Sequence, residues 1–193
     1  SETGAIFAAV AEAAVPGLHK FNAQGLANTA WAFAKAGHAA PTLLEAIAKA
    51  AEPRLREFNA QELTNTVWAF ATAGQRAPEL LDAIVKAAEP RLREFNAQGL
   101  ANTMWAFATA GHAAPELLEA IAKAAVPLLG DFTPQNLANT AWAFATAGHA
   151  APALLDAIAT EAVRGGLRDF TPQALANTAW AFAKAGRAAP MLL

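Results

Sequence analysis

The sequence contains no cysteine. This excludes disulfide staples, thiolate metal sites and a cysteine nucleophile, and a reducing interior suits such a chain. Charge is scarce, at 16% of residues, and 14 basic against 16 acidic side chains leave a net charge of −2. That balance neither announces nucleic acid nor excludes it, and it counts against a strong phosphate binder. No uninterrupted apolar run approaches the ~18 residues of a membrane span, so no membrane partner is expected. The opening stretch SETGAIFAAVAEAAV has the apolar look of a signal segment, yet it lacks a basic leader and carries Glu2 and Glu12, so it reads as helix. HExxH, GxGxxG and P-loop patterns are missing, and no acid pair stands outside the repeat pattern described next. The expectation is a soluble intracellular protein that is no enzyme and holds no metal or cofactor.

What the chain has in abundance is repetition. FNAQGLANTAWAFAKAG runs from Phe21 to Gly37 and returns, little changed, at Phe58, Phe95, Phe132 and Phe170. The intervals are 37, 37, 37 and 38 residues. A fixed period in this range marks a solenoid, in which each unit hides its apolar face against its neighbours. Asn22, Asn59, Asn96, Thr133 and Thr171 stand where a helix N-cap belongs, and Pro134 and Pro172 follow two of them at the first helical position. Gly37, Gly74, Gly111, Gly148 and Gly186 are placed for a left-handed helix end. A short link then leads to Pro41, Pro78, Pro115, Pro152 and Pro190, each opening a second helix. Pro53, Pro90 and Pro127 lie too deep in that helix and predict a bend or a stop. In the fourth unit RGG around Gly165 takes that place, and the extra residue enters there.

The predicted fold is all-α: a right-handed α-solenoid (superhelix) of tandem helix-turn-helix repeats, with first helices lining the concave side. Residues 1–20 fit as a partial repeat that supplies only a second helix. Full repeats cover 21–57, 58–94, 95–131 and 132–169, and a partial one covers 170–193. Both ends fall mid-repeat, as in a fragment of something longer. Apolar faces around Ile6 and Val10 at one end and Phe182 and Leu192 at the other are then expected to associate head to tail.

At 3.6 residues per turn, Leu26, Ala30, Phe33, Ala34 and Gly37 gather on the core side of the first helix, and Gln24, Asn28 and Lys35 fall together opposite them. Trp31 is placed at the edge between the two sets. In the second helix Leu43, Leu44, Ile47 and Ala51 form the core stripe, while Glu45, Lys49, Glu52 and Arg56 face away. Glu45–Lys49 and Asp82–Lys86 are spaced as favourable i,i+4 pairs. The first helices carry almost no charge, with Lys35, Lys184 and Glu62 the exceptions. One row of helices is thus coated with ion-pairing residues and the other with amides.

Asn in a helix interior is worse than Ala by roughly 0.5 kcal/mol, yet it recurs at Asn28, Asn65, Asn102, Asn139 and Asn177. Two roles are open. Asn and the Thr after it can bond the neighbouring repeat's backbone and fix the stacking register, or the amides can line a groove and address base edges or peptide groups. Trp31, Trp68, Trp105, Trp142 and Trp180 pose the same choice between packing beside the repeated Phe and offering a rim for base stacking, with packing the commoner use of an aromatic at helical spacing. His38, His112 and His149 recur in the link, with Gln75 and Arg187 in the same slot elsewhere. Equivalent residues of packed repeats lie roughly 10 Å apart, too far to share a metal, so these read as surface polar residues.

FTPQALANTAWAFAKAG, followed by P.LL.AIA and a link back to the next F.PQ or F.AQ, resembles the octotricopeptide repeat family. The resemblance covers residues 21–193 and takes in 1–20 as a half repeat. It rests on the Q.LANT.WA.A..G core, which places Gln, Asn-Thr, Trp and Gly in one register each time. It implies modular, sequence-selective binding of single-stranded RNA, one base per repeat as in other helical-repeat readers. It also implies work on transcripts (processing, stability or translation) in a chloroplast or mitochondrion. The contact residues it implies are Gln24, Asn28 and Lys35; Gln61, Asn65 and Thr72; Gln98, Asn102 and Thr109; Gln135, Asn139 and Thr146; and Gln173, Asn177 and Lys184. Slots that vary between repeats would carry discrimination, namely Gly25, Glu62, Gly99, Asn136 and Ala174, together with the Lys35 slot. The competing reading is a protein- or peptide-binding scaffold, favoured by the few groove cations and weakened by the lack of a large apolar anchor patch.

Overall fold

The computed structural model describes residues 2–186, which form ten α-helices and no strand. The first helices of the repeats are α2 (Ala23–Lys35), α4 (Ala60–Ala73), α6 (Ala97–Ala110), α8 (Pro134–Ala147) and α10 (Pro172–Lys184). The second helices are α1 (Glu2–Ala14), α3 (Pro41–Ala51), α5 (Pro78–Ala88), α7 (Pro115–Ala125) and α9 (Pro152–Gly165). Neighbouring helices pack in sequence order, giving an all-α helical-repeat solenoid.

The punctuation of each repeat acts as its residue types dictate. Asn22 Oδ1 accepts from the Gly25 N–H at 2.8 Å, and Asn59 and Asn96 do the same one and two repeats on. Thr133 and Thr171 cap α8 and α10 through Oγ1, at 3.2 and 3.1 Å. At the far end of α6, Gly111 takes φ +63°, a conformation that costs a residue with a Cβ. The turn lets the His112 N–H donate to the Phe107 carbonyl at 3.2 Å, closing the helix. The deep prolines stop the second helices: α3, α5 and α7 give way to 3-10 helices at Glu52–Glu57, Glu89–Glu94 and Val126–Asp131. Without that proline α9 runs on to Gly165, and Gly166 (φ +86°) turns the chain into a shortened 3-10 turn at Leu167–Asp169. The extra residue of the fourth repeat is absorbed there.

Packing divides the chain into two compact units, one up to Pro90 and one from Arg91. In the first, α2 lies along α4; in the second, α8 lies between α6 and α10. Second helices meet the next repeat chiefly through the 3-10 segments, as α5 does with residues 52–57 and α9 with residues 126–131. The first-helix row is therefore the close-packed one in both units. Phe33, Phe58 and Phe70 in one unit and Phe107 and Phe144 in the other are fully buried, each contributing about 1.5–3 kcal/mol relative to exposure. Leu43, Leu44, Ile47 and Ala51 are buried, and Glu45, Lys49, Glu52 and Arg56 are exposed, as their spacing predicts.

Ile6 and Val10 are exposed. Phe182 is not: α10 lies along α8 and buries this ring as the other repeats bury theirs, so the exposed large apolar side chains of α10 are Leu175 and Trp180 instead. Arg187, Pro190 and Leu192 lie outside the described residues.

Candidate nucleic-acid interface

Gln24, Asn28, Trp31 and Lys35 are spaced four, three and four residues apart. On a helix that spacing sets all four within roughly 60° of one another. Trp31 therefore lies inside the polar stripe, which corrects its expected place at the edge. The five glutamines of the stripe, Gln24, Gln61, Gln98, Gln135 and Gln173, are exposed. Asn28 is exposed, and Asn65, Asn102, Asn139 and Asn177 are half-buried. Lys35, Thr72, Thr109 and Lys184 are exposed; Thr146 is half-buried, with its Oγ1 shielded and unpartnered.

Among the described residues none of these ten carboxamides makes a hydrogen bond. The threonines that follow the asparagines turn inward on their own helix. Thr29 Oγ1 donates to the Gly25 carbonyl at 2.7 Å, Thr66 to Glu62 at 2.7 Å and Thr178 to Ala174 at 2.8 Å. Among the described residues the Asn amides have no hydrogen-bonded role between repeats. Thr140, in the same slot, has its Oγ1 buried without a partner.

The tryptophans stay out of the core that the phenylalanines occupy. Trp31 is 40% exposed and Trp180 44%, and Trp68, Trp105 and Trp142 are half-buried. The Trp31 and Trp68 ring centroids lie 6.3 Å apart. Lys184 Nζ, one turn beyond Trp180, sits 4.7 Å from the centroid of that ring. A partly exposed ring among free amides can stack with a planar ligand while the amides bond its edge.

The other variable slot is built differently. Gly25, Glu62, Gly99, Asn136 and Ala174 are the third residues of their helices, whose N–H groups the N-caps hold. The Glu62 carboxylate accepts from the Asn59 N–H at 2.7 Å, and Asn136 Oδ1 accepts from the Thr133 N–H at 3.1 Å. Asn136 and Ala174 are buried. A Cβ at Gly25 would lie 3.2 Å from Asn22 Oδ1 and 3.3 Å from the Phe21 ring. At Glu62 and Asn136 the side chain in this slot serves the helix cap. The Lys35 and Thr109 slot, one face further on, points to solvent.

The link histidines pack on the repeated Phe: His38 on Phe33 at 5.8 Å, His112 on Phe107 at 5.8 Å and His149 on Phe144 at 5.7 Å. His149 Nε2 also reaches Glu119 at 3.4 Å, and Lys123 Nζ reaches the same carboxylate at 3.2 Å. Lys123 first and His149 second hold the Glu119 carboxyl below its ordinary pKa.

Between α6 and α8 the stripe borders a cleft of about 790 Å³, lined by Arg93, Gln98, Asn102, Asp131, Gln135 and Asn139 among others. That is within the size range of small-ligand sites. Among the described residues no cluster of His, Asp and Glu could hold a metal ion, and no helix is long and apolar enough to cross a membrane.

The sequence model of the RNA-editing substrate-binding complex 6 protein family matches residues 2–189, and the chain belongs to that family. No curated protein matches the chain.

Proposed function

We propose that this member of the RNA-editing substrate-binding complex 6 protein family binds single-stranded RNA on the first-helix face. In this reading each repeat offers one base a Trp ring to stack on and Gln and Asn amides to bond its edge. The observation that carries it is the pairing of free carboxamides with a partly exposed Trp, repeated on successive first helices. The family takes its name from an RNA-editing substrate-binding complex, which supports an RNA strand as ligand and a protein assembly as setting. The octotricopeptide-like motif supports modular readout and organellar transcripts as the targets.

The chain acts here as a binder and no enzyme, because the residues of the face recur in every repeat whereas an active site is unique. The contact residues are the Gln, Asn and Trp of each first helix, and discrimination sits in the Lys35, Thr72, Thr109, Thr146 and Lys184 slot. The scaffold reading, in which a peptide lies on the same face, draws support from the small number of first-helix cations.

The test is selection of bound sequences from a random single-stranded RNA pool, with the parent chain, Asn102→Ala and Thr109→Lys. Asn102→Ala is expected to weaken binding with little change in thermal stability, since its amide holds nothing in the fold. Thr109→Lys is expected to change the preference at one nucleotide and leave its neighbours alone. An unenriched pool at low salt would end the RNA reading and promote the peptide scaffold.

A further inference from the structure

Two residues before each repeated Phe the chain carries His19, Arg56, Arg93, Gly130 and Arg168. Arg93 shows where the slot lies: it lines the cleft that Gln98, Asn102, Gln135 and Asn139 also line. Arg56, Arg93 and Arg168 are exposed, and among the described residues none of the three makes a hydrogen bond or ion pair. The arginine two residues earlier behaves otherwise. Arg54 donates to the Phe21 carbonyl at 2.9 Å and to Glu57 at 2.8 Å, so it holds the fold together. One arginine of EPRLRE is committed to structure and the other is free.

Asp131 lines the same cleft, so the cleft carries charges of both signs and is no general sink for anions. It favours a ligand that places an anionic oxygen at the guanidinium and a neutral, hydrogen-bonding edge at the amides. A nucleotide of a single strand has that division, with phosphate on one side and base on the other. Guanidinium suits phosphate because its fork of N–H donors matches two oxygens at once.

We infer that Arg56, Arg93 and Arg168 hold the phosphodiester backbone of the RNA strand whose bases the amide-and-tryptophan face reads, an inference that rests on the proposed RNA binding. Repeat four carries Gly130 in this slot of the sequence. A Cβ at Gly130 would meet nothing nearer than an Arg164 guanidinium nitrogen at 3.6 Å, an ordinary contact, so the slot has room for a side chain.

The experiment measures affinity for a fluorescein-labelled, mixed-sequence single-stranded RNA 20-mer across a salt series. Each phosphate contact contributes a log–log slope of about −0.7 for a single strand. With Lys35 and Lys184 as the only cations the slope would be about −1.4; with the three arginines it is expected near −3.5. Changing Arg56, Arg93 and Arg168 together to Gln should flatten it by about 2 and weaken all sequences alike. Gly130→Arg should steepen it by about 0.7, a gain that misfolding does not mimic. Lys49, Lys86 and Lys123 changed together to Gln, on the second helices, should leave it unchanged. RNA binding by the parent with a slope untouched by the arginine changes overturns the inference and leaves the RNA reading standing. Equal flattening by the lysine changes also overturns it, since net charge alone then explains the effect. No binding by the parent at low salt removes the RNA reading and this inference together.

Discussion

The Trp31 and Trp68 rings, one repeat apart, lie 6.3 Å between centroids with their planes tilted by 36°. Successive repeats of the first unit therefore set their indoles side by side on the face that carries the free amides. Two rings in contact gain roughly 0.5–1.5 kcal/mol from each other. Among the described residues neither ring has a further aromatic or cationic partner.

This separates two aromatic residues two positions apart. Trp68→Ala should cost about 1–3 kcal/mol of RNA binding, the usual worth of a base-stacking ring, with a smaller loss of stability. Phe70→Ala, at a ring 1% exposed, should cost about 3–5 kcal/mol of stability. Fluorescence anisotropy with RNA and denaturant titration of both variants check the contrast. If Trp68→Ala unfolds as readily as Phe70→Ala and keeps its RNA affinity, the tryptophans are packing residues.

The N-cap of α4 offers a cleaner stability test. Asn59 and Glu62 hold each other's backbone N–H groups, at 2.9 and 2.7 Å. Asn59→Ala should cost about 0.5–2 kcal/mol. Glu62→Gln retains an acceptor and should lose a few tenths. RNA preference should be the same in Glu62→Gln as in the parent, because its side chain is turned back on the cap; a changed preference at one nucleotide would return this slot to the reading face.

Most of the fold is legible in the sequence because Asn, Thr, Gly and Pro each act locally, through a cap, a left-handed turn or a missing N–H. The Asn59-to-Glu62 box is legible in the same way, once spacing of three is read as capping. The place of Trp31 is legible too, in the four-three-four spacing that links it to Gln24, Asn28 and Lys35, although its nearness to Phe33 points the other way. Arg93 is harder. Helical-wheel arithmetic carried past Pro53 sends Arg56 outward with Glu45, but the 3-10 helix after that proline advances about 120° per residue where an α-helix advances about 100°. The same slot at Arg93 then lines the cleft. Edge-on or tilted packing of His38, His112 and His149 against Phe33, Phe107 and Phe144 is a contact across a turn, and no helical periodicity encodes it.

Glu119 supplies a pH prediction. Lys123 and His149 lower its folded pKa, so the unfolded carboxyl takes up its proton first as pH falls. The stabilisation is complete above the unfolded value and is lost as pH drops through the lowered folded value. Glu119→Gln should therefore lower the melting temperature slightly near neutral pH. The gap should close on acidification below about pH 4, the ordinary range of a glutamate. Thermal melts of both chains across that range give the answer, and a gap that widens in acid would contradict the pairing.

Thr66 and Thr140 occupy the same slot of their repeats with opposite hydrogen bonding. Thr66 Oγ1 donates to the Glu62 carbonyl at 2.7 Å, whereas Thr140 Oγ1 is buried and has no partner. A buried hydroxyl without a partner forfeits its bonds to water, at about 1–3 kcal/mol. Valine has nearly the same shape and no hydroxyl. Thr140→Val should therefore be neutral or stabilising by up to about 1 kcal/mol, and Thr66→Val should lose about 0.5–1.5 kcal/mol with its bond. Both side chains are fully buried, so the two substitutions differ in hydrogen bonding and hardly in packing. Urea midpoints of the two variants, measured beside the parent, test this directly. Equal losses at both positions would mean that Thr140 finds an acceptor in solution, and the difference between the two repeats would disappear.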